Sequence, residues 1–284
     1  MKLSALSVLC FLAASLSNLL PSLVTAQTDA DVPVAPAPWL LDVAEGYVFV
    51  LPTILSSAFL PPGTADPLEK DAETSTGAMV PDIGALMLVR YSSSPVGPYD
   101  ELIYIPGRWA YSSGRSGLRI TRIYVSSNAS VYNGRRNWNI PKHLATFDWK
   151  NEDDGITTTV SVSSAESDNA TPFFSVQLSP VTGPIPIEVN TTLTGPYLTL
   201  IQPPLPALPN DPIVVGTGET NTKWKSFLFT AKTETASPVG VVGNLAGRRI
   251  GDGVGYPDIF PLLPVGVNIT GILNFPIAET LDSV

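Results

Sequence analysis

A lysine that directly follows a proline stands beside the chain's single histidine, in an apolar setting. The stretch reads Asn133-Gly-Arg-Arg-Asn-Trp-Asn-Ile-Pro-Lys-His-Leu-Ala145, with Lys142 and His143 amid Trp138, Ile140, Leu144 and Phe147. An amine held among apolar groups has its charged form disfavoured, which leaves some free amine near neutrality. Free amine is what nucleophilic attack on a ketone requires. The residue types alone leave two readings open, because a lysine also snorkels from an apolar patch with its ammonium in water. Arg90, Arg135 and Arg136 are candidates for gripping a substrate carboxylate, against the commoner role of surface arginines.

Other chemistries are missing from the sequence. It holds no G-x-S-x-G elbow, no Walker A sequence and no H-E-x-x-H. With His143 the only histidine and Cys10 the only cysteine, a histidine cluster or a thiolate site for a metal cannot be assembled. No metal and no cofactor is therefore expected. The acidic run Asn151-Glu-Asp-Asp-Gly155 reads as a solvated turn between strands before it reads as a calcium loop. Gly247-Arg-Arg-Ile-Gly-Asp-Gly-Val-Gly255 lacks the helix and lysine of a phosphate loop, so a flexible loop is expected there.

The elements that must position these residues read mainly as strands. Runs rich in Val, Ile, Thr, Tyr and Phe cover 47–51, 85–91, 102–105, 118–126, 157–163, 173–178, 197–201, 226–231 and 265–273. Gly, Pro, Asn and Asp punctuate them, and 28 prolines favour a barrel or sandwich over alternating β and α units. Helices are expected to be few and short. Proline suits a first helical position, so the clearest is predicted to start at Pro141 and run through Leu144 and Phe147. Residues 27–38 read as a loose N-terminal arm, and 202–209 (QPPLPALP) as an extended, polyproline-like connection.

The N-terminus predicts export. Lys2 precedes an apolar stretch from about Leu6 to Leu16, and Val24-Thr25-Ala26 resembles a cleavage signal ahead of Gln27. Residues 1–26 are thus expected to be a signal peptide, and 27–284 a single domain of a secreted, extracellular protein. Ser15, Ser17, Asn18 and Pro21 break the apolar stretch, so no membrane association is expected after cleavage. Sequons at Asn128, Asn169, Asn190 and Asn268 agree with surface glycans. The net charge of −9, one unit more negative without Lys2, disfavours nucleic acid as a partner. With 44% hydrophobic and 14% charged residues the chain can build an ordinary core without disulfides.

A resemblance sharpens the chemical reading. Gly134-Arg135, five residues, then Pro141-Lys142-His143-Leu144 resembles the active-site segment of the acetoacetate decarboxylase family. Upstream, Gly97-Pro-Tyr-Asp-Glu101 is similar to that family's G-x-Y-x-E segment, in the same order and at a similar separation. The resemblance is clearest from about Gly84 to Trp149. It implies an acetoacetate decarboxylase-like β-barrel with few short helices, in which Lys142 forms a Schiff base and Glu101 positions or transfers protons. Tyr99, Arg135, Arg136, Trp138 and His143 are then the expected substrate-binding residues.

The chain departs from that family at three places. His143 stands where the family has a second lysine, Leu86 near its second glutamate, and Glu45 near an arginine. Desolvation of Lys142 remains as an activating influence, while a cationic neighbour depends on protonation of His143. The implied function is a Schiff-base-forming lyase acting on a β-keto acid or related carbonyl compound. The alternative is a non-catalytic secreted binding protein that keeps the pocket for an apolar carbonyl ligand or other apolar small molecule. Assembly as a homo-oligomer is left open by the sequence.

Overall fold

In this computed structural model, residues 32–53, 60–166, 170–181, 190–208, 222–259, 261 and 264–284 are described. The predicted signal peptide and Asn169 lie outside them. The strands run in the order β1 (Trp39–Thr53), β2 (Ala78–Val80), β3 (Asp82–Ser93), β4 (Tyr99–Ile105), β5 (Gly107–Ala110), β6 (Ser116–Arg119) and β7 (Arg122–Val125). After these come β8 (Lys142–Asn151), β9 (Thr158–Ser164), β10 (Phe174–Pro180), β11 (Thr199–Gln202), β12 (Trp224–Leu228), β13 (Thr230–Gly243), β14 (Val265–Phe275) and β15 (Glu279–Leu281). Two α-helices join them among the described residues, α1 (Lys70–Thr74) and α2 (Asn128–Trp138). Strands β1-β14-β13-β10-β9-β8-β7-β4-β3 close into a barrel, with β3 pairing back onto β1. A second sheet has the order β15-β12-β11-β6-β5-β2.

Period-2 alternation divides the buried residues into two large clusters. One is made by the barrel strands, with Phe49, Leu86, Leu88, Leu102, Tyr124, Val160, Val162, Phe174 and Val176 among its members. The other joins Val89, Tyr91, Tyr99, Ile103, Ile123 and Val125 to Val131 and Trp138 of α2 and to Leu118, Leu200 and Phe227 of the second sheet. Between Val43 and Gly46 the register of β1 shifts, which lets Leu41 and Val43 serve one cluster and Tyr47 and Phe49 the other.

The segment around Lys142 folds differently from the prediction. The helix precedes Pro141 instead of starting there, and Lys142 opens strand β8. Ser127 caps α2, its hydroxyl accepting the Ser130 N–H at 3.3 Å. At the other end Asn139 takes a left-handed conformation (φ 53°) and returns its N–H to Arg135 O. Pro141 follows as a helix stop, which is proline's other habitual place. Strands β7 and β8 pair in parallel, so the chain needs a crossover between them, and α2 supplies it. One βαβ unit thus sits within the mainly antiparallel barrel.

Two expected loops are tied down. Asn133 of α2 bonds Ala35 N (2.8 Å) and Pro33 O (3.0 Å), and Asn137 bonds Ala35 O (2.8 Å), so residues 33–35 are strapped to the helix. The glycine-rich 247–255 segment is ordered by Asp252, whose Oδ1 accepts the N–H groups of Val254, Gly255 and Tyr256. The acidic run does form a turn, with Asp154 accepting from Ile156 N and Thr157 N. The candidate extended connection begins with wholly buried Gln202, which ends β11 and bonds both backbone groups of Ile120.

Candidate active site

Three neighbouring elements converge on one amine. Glu101 lies mid-strand in β4, directly opposite Val89 of β3 and Val125 of β7. Lys142 opens β8 opposite Ile123, on the same face of the sheet. Ser130 descends from the first turn of α2. Lys142 Nζ donates to Glu101 Oε2 at 2.6 Å and to Ser130 Oγ at 3.0 Å. Tyr91 donates its phenol to Glu101 Oε1 at 2.8 Å, and the Tyr99 ring centroid lies 5.2 Å from Nζ. All of these side chains are buried, Glu101 being 1% and Lys142 4% exposed. Burial, and then the Glu101 charge, push both phenols well above their usual range, so Tyr91 stays a donor at neutral pH.

Gly134 explains why the lysine can lie under the helix. A Cβ at that position would fall 2.6 Å from Lys142 Cδ and 2.8 Å from Cε. The glycine of the Gly134-Arg135 pair is therefore the groove in which the lysine chain runs.

Adjacent residues of a strand point to opposite faces, and that separates His143 from Lys142. His143 pairs with Tyr124, on the face of the barrel cluster, and its Nε2 meets Glu69 Oε2 at 2.9 Å. It is no neighbour of the Lys142 amine, so the cationic-neighbour route has no geometric basis. Leu86 likewise belongs to the barrel cluster, on the face of β3 opposite to Val89 and Tyr91. On Glu101's own face the further proton-bearing groups include the phenols of Tyr91 and Tyr99.

The remaining predicted residues are spread around this centre. Arg135, 4% exposed, holds Glu69 Oε1 at 2.8 Å and Pro206 O at 2.8 Å. Trp138 is packed edge-on to Trp39 at 5.1 Å and donates to Pro276 O. Arg136 is half-buried on α2. Arg90 is tied to Glu45 (3.5 Å) and Asp100 (3.4 Å). Asn128 and Asn190 are exposed and Asn268 half-buried.

Sequence reasoning missed Tyr91, Ser130, Asp66 and Glu69. Tyr91 was open to detection, since pairing Gly97–Glu101 back on the preceding strand places it near Glu101. Ser130 was hidden inside the Asn128-Ala-Ser sequon. Ligand atoms of Asp66, Glu69 and His143 lie within 4.8 Å of one another, a grouping able to hold a cation. Arg135 on Glu69 and Arg122 on Asp66 (3.4 Å) already balance those carboxylates.

Comparison with known proteins follows the same segment. The family model described as acetoacetate decarboxylase (ADC) matches residues 65–171, which contain Glu101, Ser130 and Lys142. The rice (Oryza sativa subsp. japonica) Protein NEOXANTHIN-DEFICIENT 1 is 35% identical over 65 residues, 23% of this chain and 21% of that protein. This match therefore spans only about a fifth of the rice protein's length. Acetoacetate decarboxylase from Legionella pneumophila superposes with a TM-score of 0.57 at 14% identity, covering 87% of this chain and 88% of that one. The enduracididine biosynthesis enzyme MppR, complexed with pyruvate, superposes with a TM-score of 0.50 at 11% identity, over 88% and 92% of the two chains. Residues 65–171 thus match the acetoacetate decarboxylase family model, and the barrel as a whole has the fold of acetoacetate decarboxylase-like proteins.

Proposed function

We propose that the chain is a Schiff-base-forming lyase that acts on a β-keto acid or a related carbonyl compound. The observation that carries this reading is the buried amine of Lys142 held between Glu101 at 2.6 Å and Ser130 at 3.0 Å. A proton passed from Lys142 to Glu101 frees the amine to attack the ketone carbon. The C–N bond forms and water leaves, giving a protonated imine. The bond to the carboxylate carbon then breaks, its electron pair flows toward the iminium nitrogen, and carbon dioxide departs. The proton that Glu101 took from Lys142 leaves with the water of imine formation, so the enamine carbon takes its proton from solvent, relayed through Glu101. Water then hydrolyses the iminium to release the ketone and restore the Lys142 ammonium. Ser130 orients the amine, and Tyr91 holds Glu101 by its second oxygen. The pyruvate complex of MppR is consistent with a keto acid as ligand in this fold.

The test is reductive trapping. Acetoacetate with borohydride should leave a stable adduct on Lys142, located by peptide mass mapping. Lys142→Arg should abolish both adduct and turnover, because arginine keeps its charge but supplies no free amine near neutrality. A ketone adduct elsewhere, or none at all, would remove the lyase reading.

Export belongs to the same proposal. Made through a eukaryotic secretory pathway, the protein should begin close to Gln27 and lose mass on glycosidase treatment. N-terminal sequencing that finds residues before Ala26 in the secreted material would contradict this.

A further inference from the structure

An apolar hollow shares the sheet face of Lys142 and Glu101. It has a volume of about 340 Å³ and lies among β1, β3, β13 and β14, with Val48, Ala85, Met87, Phe229, Ala236 and Ile269 in its walls. That volume falls within the ~300–1,000 Å³ of ordinary small-molecule sites. Its described lining carries no charged side chain, the polar groups being the hydroxyls of Thr191 and Thr233. Val50, Ile83 and Val267 at its edge are 53%, 40% and 41% exposed, so an apolar rim opens to solvent.

The strand register ties this hollow to the amine. Val89 opposes Glu101, and Met87, two residues along β3 on the same face, is a wall of the cavity. Two residues of an antiparallel strand span only ~7 Å. Met87 and Ile105 of the cavity, and Val89, Ile123 and Tyr99 around the amine, belong to one continuous apolar cluster. A carbonyl head at Lys142 therefore has apolar surroundings leading toward the hollow and no cation in the hollow's described walls to hold a second carboxylate.

We infer that this cavity takes the aliphatic tail of the substrate, which makes the substrate class a β-keto acid or ketone bearing an alkyl chain. The inference rests on the Schiff-base reading, and chain length is the variable that separates the two. Lys142 labelling with borohydride is measured against concentration for acetoacetate, 3-oxohexanoate, 3-oxooctanoate and 3-oxodecanoate. Each buried methylene should lower the half-saturating concentration by about fourfold until the cavity is filled. Ala236→Phe, which fills the cavity, should flatten that series. Calorimetry of 2-decanone with Lys142→Arg measures tail binding without the amine.

Labelling of Lys142 that is equally efficient at every chain length would overturn the tail site and leave the lyase reading standing. Binding of 2-decanone that Ala236→Phe removes, with no ketone ever trapped, would establish the tail site and sink the lyase reading. Neither labelling nor 2-decanone binding would overturn both.

Discussion

Lys142→Met, made alone, should cost the fold about 3–5 kcal/mol in urea titrations at neutral pH. Methionine matches the length of the lysine chain, so little packing is lost. What remains is Glu101, 1% exposed, with its charge answered only by the Tyr91 hydroxyl among the partners described. Glu101→Leu should cost a similar amount for the opposite reason, leaving the ammonium, among its described partners, with the Ser130 hydroxyl and the face of the Tyr99 ring. The triple variant Tyr91→Phe/Glu101→Leu/Lys142→Met removes both charges and the hydroxyl that would lose its acceptor. It should recover most of the loss, because a well-packed apolar replacement of a buried ion pair is often neutral or better. Such a result would mean that the pair is retained for chemistry, since folding does not require it. A triple variant as unstable as the singles would instead make the pair part of what specifies the fold, and would weaken the catalytic reading.

Much of the barrel was legible because strands announce themselves by composition. The runs at 85–91 and 265–273 lie within β3 and β14, where Val, Ile, Leu and aromatic residues crowd a pleated surface. Helix α2 was not legible from propensity: Asn-Ala-Ser-Val-Tyr-Asn-Gly-Arg-Arg-Asn-Trp is poor in strong helix formers. Its boundaries are instead written in Ser127, Asn139 and Pro141, and Pro141 serves equally as a helix start or a helix stop. Tertiary demand decided between them, because the parallel β7–β8 pair needs its crossover before Lys142. The Lys142–Glu101 contact followed from motif order. The separation of Lys142 from His143 required knowing that β8 is a strand. As a helix, 142 and 143 would lie about 100° apart; as a strand they face opposite clusters.

Raising the pH from 5 to 9 should weaken the wild-type fold, and Glu73→Gln should abolish most of that weakening. Glu73 ends the first turn of α1 wholly buried, and neither carboxylate oxygen has a hydrogen-bond partner among the described residues. Three charged groups act on it: Arg119 and Arg135 favour ionisation, Glu69 opposes it, and burial outweighs them all. Arg119 has its two terminal nitrogens committed elsewhere. It donates to the Glu73 backbone carbonyl, Thr76 O and the Tyr111 hydroxyl, and lies 4.3 Å from the Trp109 ring centroid. The Glu73 carboxyl is thus pushed up to about 8 from an ordinary value of 4.5. With the folded value above the unfolded one, the unfolded chain gives up its proton first as pH rises. Stability is therefore lost between roughly pH 4.5 and 8, at up to about 1.4 kcal/mol per unit, for a total on the order of 5 kcal/mol. Glutamine has no proton to lose, so its urea midpoint should track the wild type at pH 5 and exceed it clearly at pH 9. Parallel curves for the two proteins across that range would show that Glu73 is already ionised or never ionises in the fold, and the buried-acid description would fail.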